Sequence, residues 1–194
     1  MIIKTLGLIG IFLTVFAESG LFFGFFLPGD SLLFIAGLLA ATGAFDIKSL
    51  ILICLLGAIL GDSFGYWIGS RFGRKFFDRE DSFFFKKKYL LETESFYSRH
   101  GKYTIVIARF IPIIRVFAAT FAGLSLMEYK TFLIYNIIGG TLWVFSMTLM
   151  GYFLGSIIPN PDRYVLPVVF GVIAISFIPV LIKFMQARKN QSKF

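Results

Sequence analysis

The feature that most constrains this chain is a run without a single charged residue from Thr131 to Pro161. It exceeds the roughly 20 residues needed to cross the hydrocarbon core of a bilayer. A second such run extends from Tyr164 to Ile182, and a third, Ser49 to Ser70, is interrupted only by Asp62. Of the 194 residues, 57% are hydrophobic and only 15% are charged. A soluble domain carries about 25% charged residues, so this chain lacks the groups that keep a surface wet. These runs predict an all-α integral membrane protein.

The net charge of +8 invites a nucleic-acid reading, but the distribution of charge argues against it. Nine Lys or Arg residues fall between Arg71 and Lys102, and four more lie from Lys183 onward. Both clusters directly follow apolar spans, as cytoplasmic loops do under the positive-inside rule. Phe83–Phe85 followed by Lys86–Lys88 reads as an anchor on an anionic leaflet. The expectation is a multi-pass protein of the cytoplasmic (inner) membrane with both termini cytoplasmic and no nucleic-acid partner. The N-terminal apolar stretch is expected to be retained, because Phe16-Ala17-Glu18 is a poor cleavage site.

Two apolar stretches do not read as simple spans. Residues 2–27 are apolar apart from Lys4 and Glu18, and then break at Leu27-Pro28-Gly29-Asp30. The uncharged stretch 31–45 is too short to cross a bilayer and suits one limb of a re-entrant hairpin whose tip lies near Pro28 and Gly29. Residues 103–127 are similarly broken by Arg109, Pro112 and Arg115. Sliding the sequence by 86 positions lays Ala36-Gly37-Leu38 on Ala122-Gly123-Leu124, and Gly65–Gly69 on Gly151–Gly155. A two-residue adjustment brings Pro28 onto Pro112. The expected architecture is one domain, 1–194, of about four transmembrane helices plus two re-entrant hairpins in an inverted-topology repeat. Repeat 1 spans about 17–73, the basic loop about 71–102, repeat 2 about 103–157 and a C-terminal helix about 164–184. Interrupted segments in corresponding places mark the midplane substrate site of a transporter.

Glu18, Asp30, Asp62, Arg109 and Arg115 stand inside the apolar regions. At about 2.5–3.5 kcal/mol each on the insertion scale, unpaired charges there would cost roughly 12–17 kcal/mol together. They must be paired, neutralised or bathed in a cavity. Asp30 and Arg115 lie at the two corresponding breaks, so opposed hairpins would bring acid and base together. A guanidinium offers phosphate a planar bidentate fork and stays charged, which makes Arg109 and Arg115 candidates for an anionic headgroup. Carboxyl groups in a water-poor cavity suit proton uptake and release, a role open to Glu18, Asp30 and Asp62. A purely structural reading competes with this one, in which the five charges only lock the hairpins together.

Gly57, Gly61, Gly65, Gly69 and Gly73 recur every four residues, a helix-packing stripe. It is also a candidate groove for a lipid tail and a candidate surface for a homo-oligomer. Cys54 is the single cysteine and His100 the single histidine, so neither a disulfide nor an ordinary metal-ligand cluster is expected. No nucleophile elbow or P-loop is present, and no cofactor or enzymatic activity is expected.

In this order and spacing the motifs resemble the DedA family of bacterial membrane proteins, which share the VTT domain with eukaryotic lipid scramblases. The residues that carry the resemblance are Glu18-Ser19-Gly20, Phe26–Ser31, Gly61-Asp62, Gly65-Tyr66-x-x-Gly69, Ala108–Pro112, Arg115, Ala122–Leu124 and Asn136-x-x-Gly139-x-x-x-Trp143. The resemblance implies two re-entrant hairpins and a role in envelope maintenance. It implies return of undecaprenyl phosphate or phospholipid across the cytoplasmic membrane, driven by the proton-motive force. By motif, essential acids fall on Glu18 and Asp30, and essential arginines on Arg109 and Arg115. Only 17 residues precede Glu18, so a short first span is expected. The function expected is a lipid flippase with membrane lipid and protons as partners. A proton-coupled small-ion or drug antiporter and a non-transporting scaffold are the alternatives.

Overall fold

Spans of this apolarity have to satisfy their backbone internally, and in a single chain without barrel patterning that means helix. The computed structural model describes residues 2–21, 29–73, 101 and 103–157, and among these the ordered elements are helical, with no strands. They are α1 (Ile2–Gly20), α2 (Gly29–Ala41), α3 (Ile47–Ile68), a helical segment over 103–108, α4 (Pro112–Leu124) and α5 (Tyr129–Ile157). A π turn, Gly69–Gly73, extends α3. Pro28, most of the basic loop and the expected C-terminal helix lie outside the described residues.

Length separates the elements into two kinds. The run Ile47–Phe72 has 26 residues and α5 has 29, and both are long and apolar enough to cross a membrane. At 1.5 Å per residue they reach about 39 and 43 Å, more than the roughly 30 Å of a hydrocarbon core. By contrast α2 and α4 have 13 residues each, about 20 Å, and cannot cross alone. Their lateral surfaces agree with lipid as solvent. Leu52, Leu56, Leu60, Phe64 and Trp67 stand exposed along one face of α3, and Ile134, Ile138, Leu142 and Phe145 along α5. In water such stripes would be aggregation surfaces.

The ends of these helices have local causes. Asp46 caps α3, accepting the Ser49 N–H at 2.9 Å and the Ser49 hydroxyl at 2.8 Å. The backbone donor, then the hydroxyl, hold its carboxyl below the ordinary 3.8. Both short helices close in a Schellman motif. After α2, Gly43 N–H donates to the Ala40 carbonyl and Ala44 N–H to that of Leu39, with Gly43 at φ 81°. After α4, Leu126 N–H donates to Gly123 and Met127 N–H to Ala122, but here a leucine takes the left-handed place at φ 54°. Pro112 opens α4 behind an extended Ile111 at φ −113°, so the chain turns at 109–111 between two helical pieces.

The chain divides into two compact units, Met1–Leu27 with Ile51–Ser146, and Pro28–Leu50 with Met147–Phe194. In the first, the glycine stripe is occupied by neighbouring helices of the same chain. Gly57 faces Phe12 and Val15 of α1, and a Cβ at Gly61 would stand 2.6 Å from the Phe16 carbonyl oxygen. Gly65 faces Ala119 and Thr120 of α4. From Gly57 to Gly69 the stripe therefore meets α1 and α4, which leaves no room on that stretch for the lipid tail expected there.

Each unit also contains one close crossing of a short helix on a long one. In the first, a Cβ at Gly69 would strike the Thr120 carbonyl, and one at Gly123 would strike the Tyr66 carbonyl. In the second, a Cβ at Gly151 would strike the Phe34 carbonyl, and one at Gly37 that of Thr148. Phe34, Gly37 and Leu38 stand 86 positions before Thr120, Gly123 and Leu124. Their partners Tyr66, Gly69 and Ser70 stand 82 positions before Thr148, Gly151 and Tyr152. The short helices thus correspond in the register read from the sequence, while the long helices correspond one turn away from it. Glycine repeats every four residues along α3, so the two registers look alike in sequence and only packing separates them.

Candidate functional site

Four of the five ionisable residues come together in the first unit, and each is buried: Glu18 on α1, Asp62 on α3, Arg109 in the break before α4, and Arg115 on α4. They form two acid–arginine pairs. Arg115 Nη2 donates to Glu18 Oε1, and Arg109 Nη2 donates to Asp62 Oδ2. The chain has folded so that helices 97 and 47 residues apart supply each other's countercharge. Charge pairing of this kind lets ionised groups persist where water is scarce. Asp30 stands half-buried in the first turn of α2.

The Arg109 site is built by one face of α5. Arg109 Nη2 also donates to Asn136 Oδ1, and Asn136 Nδ2 donates in turn to the Ile59 carbonyl at 3.2 Å. That second bond fixes which way the Asn136 amide faces and so presents its oxygen to the guanidinium. One turn on, Gly139 and Gly140 leave the space in which the arginine lies. A Cβ at Gly139 would stand 3.1 Å from Arg109 Cδ, and one at Gly140 3.5 Å from its Cζ. Arg109 Nε and Nη1 are buried and have no hydrogen-bond partner among the described residues. Buried donors of this kind call for an explanation, and a bound anion or water is the ordinary one.

The Arg115 site uses the next turn of the same face. Its Cζ lies 4.8 Å from the centroid of the Trp143 ring, and Trp143 is wholly buried. Positions 136, 139, 140 and 143 follow the i, i+3, i+4, i+7 spacing of a single helical face. In the sequence, Asn136, Gly139 and Trp143 stand out only through the family resemblance, and Gly140 does not stand out at all. The signal that identifies them is this spacing on an otherwise apolar span, which places one polar and one aromatic side chain around two small residues.

Packing behind the site is aromatic and close. Ile105, Ala119, Ala122 and Phe132 form a buried cluster, with Tyr66, Met127 and Tyr135 against it. The Tyr66 ring stacks on Phe132 at 4.7 Å between centroids, and its hydroxyl donates to the Met127 carbonyl. This ties the end of α3 to the turn that follows α4, and with it the helix that carries Arg115.

Comparison with known proteins places these residues in context. The VTT domain family matches residues 27–153. Protein DedA of Escherichia coli (strain K12) is 42% identical over 185 residues, which cover 94% of this chain and 84% of that protein. An uncharacterized membrane protein of Mycobacterium tuberculosis (strain H37Rv) is 43% identical over 186 residues, 93% of this chain and 81% of its own length. The inner membrane protein YqjA of Escherichia coli (strain K12) is 34% identical over 150 residues, 75% of this chain and 66% of that one. No solved structure matches the chain.

Proposed function

This chain belongs to the DedA family of membrane proteins built on the VTT domain, and on that premise we propose that it is a lipid flippase. Its cargo is a lipid carrying an exposed phosphate, undecaprenyl phosphate or a phospholipid, and its seat is the cytoplasmic membrane with both termini on the cytoplasmic side. The reading includes the inverted repeat with two re-entrant hairpins. The matched glycine crossings of α4 on α3 and of α2 on α5 support that part of it.

The observation that carries the proposal is the buried Arg109 guanidinium with two donors unclaimed among the described residues. A scaffold needs its buried charges satisfied, whereas a phosphate site needs donors held ready for the cargo. A proton antiporter requires the acids alone. Two arginines within one buried cluster are what an anionic headgroup requires, because moving a bare phosphate through hydrocarbon is prohibitively costly.

The pairing of Arg115 with Glu18 supplies the coupling. Glu18 and a lipid phosphate compete for the same guanidinium fork. A proton on Glu18 removes its claim, and Arg115 then serves the phosphate together with the open donors of Arg109. Phosphate and proton therefore bind together, and an inward proton gradient draws the lipid phosphate toward the cytoplasmic leaflet. Asp62 holds Arg109 in place, and Asp30 acts from α2 as a second proton carrier.

Purified full-length protein in liposomes tests this, with undecaprenyl phosphate and labelled phospholipids followed across the bilayer with and without a pH gradient. Movement of one lipid class that collapses in Arg115→Ala, and that loses its pH response in Glu18→Gln, is the expected result. Folded protein that moves no lipid would refute the proposal.

A further inference from the structure

We infer that Asn136 is a positioning residue that keeps Arg109 from closing on Asp62 and so holds its remaining donors open for a lipid phosphate; this rests on the flippase reading. Nη2 of Arg109 carries two hydrogens and meets two acceptors, the Asp62 carboxylate and the Asn136 amide oxygen. An arginine–carboxylate pair is frequently two-pronged, with parallel N–H bonds from neighbouring nitrogens to both oxygens. Here the bond to Asp62 runs from Nη2 alone, while Nε and Nη1 are buried without a hydrogen-bond partner among the described residues. The hydrogens of Nη2 point to opposite edges of the planar group. Each edge therefore keeps one unclaimed donor, Nε on one and Nη1 on the other.

The α5 helix imposes this arrangement. Asn136 Nδ2 donates to the Ile59 carbonyl of α3 at 3.2 Å, which turns the amide oxygen toward Nη2. A Cβ at Gly140 would stand 3.5 Å from Cζ, Nη1 and Nη2 alike, so it marks the flat face of the guanidinium and not an edge. A Cβ at Gly139 would stand 3.1 Å from Arg109 Cδ. With its face against α5 and Nη2 held by two acceptors, the group does not turn a full fork toward Asp62. Asn136 suits the task because its oxygen is a neutral acceptor: it takes a hydrogen and leaves the positive charge for the phosphate. Its removal strands no acceptor on α3, because the Ile59 carbonyl also accepts the Ser63 hydroxyl at 2.8 Å.

The test compares the parent with Asn136→Leu as full-length protein in nanodiscs, with isotope-labelled arginine and NMR of the Arg109 N–H groups, assigned through Arg109→Lys. In the parent these resonances are expected to move saturably on addition of undecaprenyl phosphate but not of undecaprenol. In Asn136→Leu they are expected to stand shifted before any lipid is added, as Arg109 closes on Asp62, and half-saturation by undecaprenyl phosphate is expected to rise about tenfold or more. In the liposome assay the same variant should raise the lipid concentration for half-maximal transport by a similar factor. Turnover at saturation and thermal stability in detergent stay near those of the parent. A merely structural role would instead lower stability and leave half-saturation alone, and an Asn136→Leu protein within about twofold of the parent in half-saturation overturns the inference. So do Arg109 resonances that are the same in lipid-free parent and variant. If Asn136→Leu does not fold, Asn136→Ala, which removes the amide without adding apolar bulk, decides by the same criteria. Should the parent bind undecaprenyl phosphate at Arg109 yet move no lipid, the flippase reading falls, and weaker binding in the variant still supports the role of Asn136. A parent whose Arg109 resonances ignore undecaprenyl phosphate overturns both.

Discussion

Breaking the Asp62–Arg109 pair from either side should destabilise the protein, and the two sides should not be equivalent. Both side chains are buried, at 7% and 2% exposure, and Arg109 Nη2 is shared between Asp62 and Asn136. Asp62→Asn keeps the shape of the side chain and removes its charge, which leaves a buried guanidinium facing only neutral acceptors. Loss of one partner from a buried pair costs about 3–5 kcal/mol. Arg109→Met should cost less, because a carboxyl group left alone can take a proton whereas a guanidinium stays charged. Replacing both, as Asp62→Leu with Arg109→Met, exchanges the pair for apolar volume, which is close to neutral in itself. It still strands the Asn136 carbonyl oxygen, at about 1–3 kcal/mol. The expected order of damage is therefore Asp62→Asn, then Arg109→Met, then the double variant, with the double far short of the sum of the singles. Reversible unfolding in mixed micelles, followed by far-ultraviolet circular dichroism, measures all three. Additive effects, or an Asp62→Asn protein within about 1 kcal/mol of the parent, would refute the claim that this is a desolvated pair.

The two glycine crossings should respond alike: Gly37→Ala and Gly123→Ala each force helices apart and should cost about 1–3 kcal/mol in the same titration. Gly10→Ala, with nothing within 4 Å of the added Cβ, should gain about 0.5–1 kcal/mol and serves as the control. Leu126→Gly should stabilise by about 0.5–1 kcal/mol, because a leucine at φ 54° carries a left-handed penalty that glycine avoids. Asp46→Ala should fray the start of α3, seen as faster amide exchange at residues 47–50. Because the folded carboxyl sits below its ordinary 3.8, the cap contributes fully above that pH and fades as pH falls below it. As pH falls through that lowered value, protection there in the parent should approach that of the variant measured at the same pH.

How much of the site is legible in the sequence depends on whether its cause is local. The cost of a charge in hydrocarbon singles out Glu18, Asp62, Arg109 and Arg115 without any structure, because that cost depends on the residue and its apolar surroundings alone. The break before Pro112 is legible for the same reason: proline disfavours helix in the residue before it. The partner of each charge is not legible. The structure pairs Arg115 with Glu18, an approach of α1 and α4 that depends on the fit of Gly20, Gly61 and Gly65. Nor is the part played by α5 legible, because a tryptophan in an apolar span looks like any other lipid-facing or core aromatic.

By itself, then, the sequence determined what the bilayer enforces. Segment length and hydropathy decide which stretches are long enough to cross, and charge cost decides which residues cannot face lipid. Tertiary structure alone decided the pairings, the one-turn offset of the long helices, and the single face of α5 that reaches both arginines. These depend on which surfaces approach closely enough to exclude lipid, and a period-four run of glycines offers several registers that only the packed backbone can tell apart.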